Sequence, residues 1–305
     1  MSTYHEPVLC AEALRYLLTD NDGIYVDATV GGGGHAEAIC RQLGLRGKLI
    51  GFDADVDAIV EAEKRLLPYA PQVTLIRDNF RSMIDALASR GIGNVEGVLF
   101  DLGVSSFQLD SAEKGFSFRA DDVLDMRMDR RQGLRAWEVV NTYPEERLAQ
   151  VLREFGEEHG ARRIARAIVR QRPVETTGAL RTVVEQCVGG RFLMKSLARV
   201  FQALRIEVND ELAGLAKALG DVPGLLKPGG RCVVIAYHSL EDRIVKDFFR
   251  EEASDRIRSA HKYLPDEPRA PRLEILMKKP VTADEAERTR NPRARSAKLR
   301  AAARV

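Results

Sequence analysis

The sequence predicts an α/β fold in which one parallel-sheet domain is interrupted by an inserted α-helical domain. Three observations carry that expectation. Strand-like and helix-like stretches alternate without a break from Ile24 to Asp101. From about Ser111 to about Arg205 no buried-strand pattern occurs, and helical spacing takes over. The alternation then returns and runs to Met277. Consecutive parallel strands need crossover helices, so such alternation reads as a sheet covered on both faces.

The elements follow in order. Ile24-Tyr25-Val26-Asp27-Ala28-Thr29-Val30 is mostly apolar or β-branched, and Gly31-Gly32-Gly33-Gly34-His35 follows it. Ala36 to Ile39 resumes with helical spacing. A strand, a tight glycine turn and a helix start let a backbone approach a nucleotide-like ligand closely. Lys48 to Asp53 is a second strand ending in an acid, and Val56 to Leu67 is a helix stopped by Pro68. Val73 to Ile76 is a third strand with Asp78-Asn79-Phe80 as its exit loop, followed by a helix from Met83 that ends at Gly91. The fourth strand, Val95 to Phe100, arrives at Asp101-Leu102-Gly103. Ligands of such sheets bind beyond the carboxyl ends of the strands, where these acids and glycines fall.

In the insert, helices are expected over 144–155, 161–171 and 177–187. After it come one long helix, Phe201 to Leu219, a strand, Arg231 to Ala236, a helix, Leu240 to Arg250, and a last strand, Arg272 to Met277. The Ala/Arg-rich tail from Asn291 shows no core pattern and reads as helical or loose.

Composition narrows the class. The 305 residues are 45% hydrophobic and 30% charged, ordinary for a globular protein. No apolar run approaches the roughly 18 residues of a membrane span. The polar Met1–Pro7 stretch lacks a signal-peptide core, so a cytoplasmic protein is expected. Cys10, Cys40, Cys187 and Cys232 lie far apart and read as small buried hydrophobes, not as zinc ligands or disulfides. No histidine cluster suggests a metal. The net charge is only +2, yet ten Lys/Arg face two acids, Glu175 and Glu185, between Arg162 and Arg205. Seven basic residues and no acid lie between Arg288 and Arg304. Such patches attract polyanions, although a solvated face accounts for them equally well.

The glycine turn fits G-x-G-x-x-A at Gly31, Gly33 and Ala36, a weak dinucleotide fingerprint, with Asp53 placed to grip a ribose. Nicotinamide dinucleotides and S-adenosylmethionine (AdoMet) both present that ribose. Asp27 separates them: a pyrophosphate repels a nearby carboxylate, whereas a sulfonium and an ammonium group attract one. A turn or capping acid is the plainer reading of Asp27. Asp101, Ser105 and Ser106 lie where a methyl acceptor would meet the donor. No cysteine is there, which disfavours pyrimidine C5 chemistry with its attacking thiolate. An exocyclic amine needs only orienting acceptors, which Asp101, Ser105 and Ser106 could supply; helix capping explains the two serines equally. His238 follows the strand ending at Tyr237, and Ser239 reads as a helix N-cap with Asp242 completing its capping box.

Together these residues resemble the bacterial small-subunit ribosomal RNA cytosine-N4 methyltransferases, the MraW family. The resemblance rests on His5-x-Pro7-Val8-Leu9, Asp27 to His35, Asp78-Asn79-Phe80, Asp101 to Ser106 with Gln108-Leu109-Asp110, and Gly115 to Phe118. Further blocks are Leu124 to Asp129, Phe201 to Ile206, His238 to Arg243 and Asn291 to Ser296. Val200 stands where many members have threonine, and Val123 where proline is usual. The resemblance implies a Rossmann-like AdoMet-dependent methyltransferase fold, 1–110 plus 206–305, with a basic helical RNA-recognition insert at 111–205. It implies AdoMet as donor and, as target, a cytosine N4 amine in the decoding centre of 16S ribosomal RNA. By family position Gly33, Gly34 and His35 hold the amino-acid end of AdoMet and Asp53 its ribose, with Phe80, Asp101 and Gln108 completing the pocket. Asp101, Ser105 and His238 are the candidates at the acceptor, and Phe107, Phe116 or Phe118 could stack on the base. The small ribosomal subunit is the expected partner, with neither membrane nor metal involved and a homodimer left open. A nicotinamide-dependent oxidoreductase and a non-catalytic RNA-binding protein remain the alternatives.

Overall fold

The structure, a computed structural model, describes residues 7–104, 114–257 and 266–305. The chain forms two compact units, 1–103 with 212–305, and 104–211. The second is wider at both ends than the expected 111–205.

The first unit is built on a sheet of seven strands among the described residues, in the order β3-β2-β1-β4-β5-β9-β8. The strands are β1 (Ile24–Asp27), β2 (Lys48–Asp53), β3 (Val73–Arg77), β4 (Val95–Asp101), β5 (Leu226–Ala236), β8 (Leu273–Ile275) and β9 (Lys298–Arg304). A separate two-stranded ribbon pairs β6 (Arg256–Ile257) with β7 (Glu267–Pro268). The first five strands of the large sheet are parallel. Alternate side chains enter two different cores. Val26, Phe52, Val98 and Phe100 pack with Met83, Leu215 and Phe249 on one face. Tyr25, Leu49, Leu99 and Val233 pack with Leu17, Ile39 and Ala62 on the other. Burying both faces explains why these strands read as nearly continuous apolar runs. The flanking helices are α1 (Cys10–Leu17), α2 (Gly34–Cys40), α3 (Val56–Leu66), α4 (Met83–Ala88), α10 (Glu211–Leu225), α11 (Ser239–Glu252) and α12 (Glu285–Arg290).

Two expectations fail here. The tail is helical only over one short 3-10 turn, Pro292–Arg295; beyond it β9 is an inner strand, antiparallel to both β5 and β8. Alanine is a poor strand former, but Ala301 and Ala302 are fully buried, where small side chains let neighbouring layers close. The expected helix Phe201–Leu219 is two helices, because Asp210 adopts a left-handed φ of 49° between α9 (Gly190–Asn209) and α10. Apolar residues bury on both sides of that break, so the periodicity runs through it.

The second unit is helical: α5 (Ala136–Thr142), α6 (Glu145–Glu154), α7 (Ala161–Arg170), α8 (Thr177–Cys187) and α9. Its core gathers Val139, Leu152, Ile164, Leu180, Val184 and Leu204. Val200 is fully buried there, whereas Val123 is 57% exposed. Phe116 is buried, and Phe118 meets Phe201 edge-on at 5.4 Å between centroids, so both serve the core of this unit. Phe107 lies outside the described residues.

Candidate active site

The glycine turn leaves β1 at the place where strand order reverses, between β1 and β4, which is where open α/β sheets bind ligands. Backbone hydrogen bonds tie its residues to both neighbouring strands. Ala28 N–H donates to Leu99 O at 2.8 Å, and Val30 N–H to Phe52 O at 2.8 Å. Thr29 Oγ1 accepts from Asp101 N–H at 2.6 Å. Gly33 N–H closes the turn on Val30 O at 2.8 Å, with a φ of 80° that only glycine holds without strain.

Asp53, expected at the ribose, also braces this turn. Its Oδ2 accepts from Gly31 N–H at 3.0 Å and its Oδ1 from Asp55 N–H at 2.9 Å. Gly34 packs so tightly that a Cβ there would sit 3.3 Å from Pro7 Cβ. The His35 ring is buried, with Nε2 3.0 Å from Val8 O and Nδ1 3.4 Å from Asp101 Oδ2. Both nitrogens thus face acceptors. Burial, the largest single influence, pushes the imidazole toward neutrality, but Asp101, Asp27 and the Val8 carbonyl together outweigh it and raise the His35 pKa above the ordinary 6.5. Phe80 stands edge-on to Phe100, with centroids 5.8 Å apart.

Asp27 is 1% exposed and accepts from Thr29 N–H at 3.2 Å. Burial pushes its carboxyl up to about 7, with His35 opposing and Asp101 and Asp53 adding to the rise. Asp101 receives the Tyr237 hydroxyl on Oδ1 at 2.7 Å. Burial, then Asp101, push the Tyr237 phenol well above its ordinary 10, so it remains a donor. Gly103, at φ 92°, brings the exit of β4 against that ring: a Cβ there would lie 3.4 Å from Tyr237 Cδ2.

Ser239 is not the N-cap of α11. His238 is, with Nδ1 accepting from Glu241 N–H at 3.4 Å. Glu241 Oε2 returns the bond to His238 N–H at 3.2 Å and also accepts from Tyr237 N–H at 2.9 Å. Asp242, expected to complete the box, instead accepts from Arg300 Nε at 2.7 Å and Lys298 Nζ at 3.0 Å. The structure therefore brings Gly33, Gly34, His35, Asp53 and Asp101 to one strand edge and gives the His238 ring a capping role. Ser105 and Gln108 lie outside the described residues. Tyr237 and Thr29 also contact Asp101, which their sequence positions alone do not reveal. Tyr237 directly follows β5, the strand beside β4, which places it at the edge where Asp101 lies.

The chain matches the MraW methylase family over residues 2–305. It belongs to that family. The methylase is 46% identical over 309 residues to the ribosomal RNA small subunit methyltransferase H of Syntrophus aciditrophicus, covering 99% of this chain and 98% of that protein. It is 44% identical over 317 residues to the protein of the same name from Heliobacterium modesticaldum, covering both chains in full. Among solved structures, a putative rRNA-methylase from Clostridium thermocellum aligns over 99% of each chain with a TM-score of 0.47 and 14% identity. A putative methyltransferase from Streptococcus mutans in complex with SAH aligns over 97% of this chain and 96% of that one, with a TM-score of 0.44 and 13% identity.

Proposed function

We propose that this methylase transfers a methyl group from AdoMet to the exocyclic N4 amine of a cytosine in the decoding centre of 16S ribosomal RNA, in the cytoplasm. The observation that carries the donor assignment is the cluster of three carboxylates, Asp27, Asp53 and Asp101, around the glycine turn, each pair involving Asp27 repelling. A cationic ligand relieves that repulsion, whereas a pyrophosphate would add to it. Gly33, Gly34 and Asp53 would hold the donor, with Phe80 and Gln108 beside it. When bound, AdoMet supplies an electrophilic methyl on its sulfonium.

The residues of the chain do the rest. The cytosine amine lone pair is delocalised into the ring, so the amine must be oriented toward the methyl. Asp101, about a quarter exposed on its side chain, is the acceptor that can take an amine N–H. The Tyr237 hydroxyl and His35 fix both of its oxygens in place. Ser105 follows four positions later in the sequence, and His238 fixes the start of α11 beside Tyr237.

The test is labelled methyl transfer to small ribosomal subunits from a strain lacking the enzyme, with the product nucleoside mapped by mass spectrometry. N4-methylated cytidine at one decoding-centre position is expected. Label on another base, or tighter binding of NAD than of AdoMet, overturns the reading.

A further inference from the structure

One end of the helical unit combines features that folding alone leaves unused. Phe192 is 57% exposed, and it is the only exposed aromatic among the described residues. Met194, two positions on, is equally exposed at 57%. The Arg191 guanidinium lies 5.4 Å from the Phe192 ring centroid. Lys195 follows Arg191 by one helical turn, on the same face of α9.

The beginning of α7 lies at the same end. Cys187 Sγ, at the last residue of α8, is 3.9 Å from Arg163 O, and α9 starts three residues later. Arg162 and Arg163 are exposed in the first turn of α7, which holds no acid. Five of the other six cations of the basic stretch are committed, and the sixth, Arg170, sits at the opposite end of α7. Arg166 pairs with Glu145, Arg181 with Glu185, Arg199 with Glu158 and Arg205 with Glu211. Arg172 donates to the carbonyls of Val140 and Tyr143. Among the described residues, Arg162, Arg163, Arg191 and Lys195 have no carboxylate partner. The tail contributes less than its composition suggests, because Lys298 and Arg300 are held by Asp242.

We propose that this end of the helical unit docks a single-stranded segment of the ribosomal RNA substrate, with a base stacked on Phe192 and phosphates on Arg191, Lys195, Arg162 and Arg163. The proposal rests on the RNA-methyltransferase reading above and deepens it by naming the docking surface. Charge complementarity selects the occupant: four cations without a carboxylate partner lie at this end of the unit, and stacking on an aromatic face is how sequence-tolerant proteins hold unpaired bases. A guanidinium on one side of the ring strengthens such a platform.

The test compares the full chain with Phe192→Ala, Phe192→Trp and the double variant Arg191→Gln/Lys195→Gln. Each is titrated with a single-stranded RNA oligonucleotide and with unmodified small subunits, from about 50 to about 200 mM salt. Phe192→Ala should weaken RNA binding about tenfold, and Phe192→Trp should keep it. The double variant should lower the slope of log affinity against log salt by about 1.4, two phosphates' worth on a single strand. AdoMet affinity and melting temperature should not change in any of them. RNA affinity and salt slope unchanged in the variants, while the parent still methylates subunits, overturn the docking surface and leave the activity standing. A change confined to sedimentation also overturns it, in favour of a second copy of the chain. A parent protein that neither binds RNA nor methylates subunits overturns both readings.

Discussion

The buried His35 pairs with the partly exposed Asp101, Nδ1 to Oδ2 at 3.4 Å, while the other imidazole nitrogen faces the Val8 carbonyl at 3.0 Å. A neutral imidazole has one N–H and one lone pair, so it cannot satisfy two acceptors at once. The doubly protonated ring can. Its protonated form therefore holds Asp101 Oδ2 and the Val8 carbonyl together.

It follows that His35 titrates above 6.5 in the folded protein, and that Asp101→Asn leaves burial opposed only by Asp27 and the Val8 carbonyl. Its pKa, followed by NMR through the ring protons, should fall in that variant. Because the folded pKa is raised, the pair stabilises fully below the unfolded pKa and loses its contribution as pH rises through the folded one. A His35 resonance that titrates identically in both proteins removes the pair from the site.

Asp27 gives a second pH signature. Its carboxyl is raised from 3.8 to about 7, so the folded state holds a proton that the unfolded state releases. Stability of the ligand-free protein should fall as pH climbs between those values. A cationic donor favours the ionised carboxylate, so AdoMet should bind more tightly at pH 8 than at pH 6 and release a proton on binding near neutral pH. Calorimetry in buffers of different ionisation enthalpy measures that proton directly. Asp27→Asn should abolish the release and weaken AdoMet by roughly ten- to a hundredfold, the range of a charged interaction lost.

Much of this site is legible in the chain because its parts are local. Mostly apolar runs ending in Asp27, Asp53 and Asp101 identify parallel strands and the acids at their carboxyl ends. The four glycines mark the turn between them. What escapes are features decided by distant partners. Ser239 and His238 both offer a side-chain acceptor to a helix start, and the choice falls to Glu241, which also holds Tyr237 N–H. Nothing adjacent to Tyr237 shows that its hydroxyl reaches Asp101 across 136 residues of sequence. The tail is rich in alanine and arginine without a period-two pattern, and only its register against β5 reveals an inner strand.

That strand supports a third expectation. Asp242 on α11 is 14% exposed on its side chain and accepts from Arg300 and Lys298, which lowers its pKa although burial opposes the shift. Asp242→Ala leaves Arg300, itself only 13% exposed, without that carboxylate. A loss of about 2 kcal/mol in urea unfolding is expected, less than for a fully buried pair because Lys298 is 42% exposed. In the parent protein this contribution is present above the unfolded pKa of the acid and is lost as pH falls through the folded one. Deleting residues from Lys298 onward should do far more, because it strips β5 and β8 of their shared neighbour. Cooperative unfolding that survives the deletion argues against an inner β9.

In the helical unit, Asn209 is the polar group whose replacement should be felt most. It is buried at 7% exposure. Its Oδ1 accepts from Met128 N–H at 2.8 Å and Gln132 Nε2 at 3.1 Å. Its Nδ2 donates to Met126 O at 2.8 Å and Arg205 O at 2.9 Å. Met126 sits at a φ of 60°, unusual for a residue with a side chain, and the amide bond to its carbonyl helps hold it there. Asn209→Asp keeps the shape but turns both donors into acceptors facing carbonyl oxygens. A cost of about 3 kcal/mol is expected, growing as pH rises and the new carboxyl ionises in a buried site. Asn209→Ala should cost about as much at neutral pH but show no such pH dependence. Denaturant unfolding of both variants across pH separates the two, and equal pH profiles would falsify the donor role assigned to Nδ2.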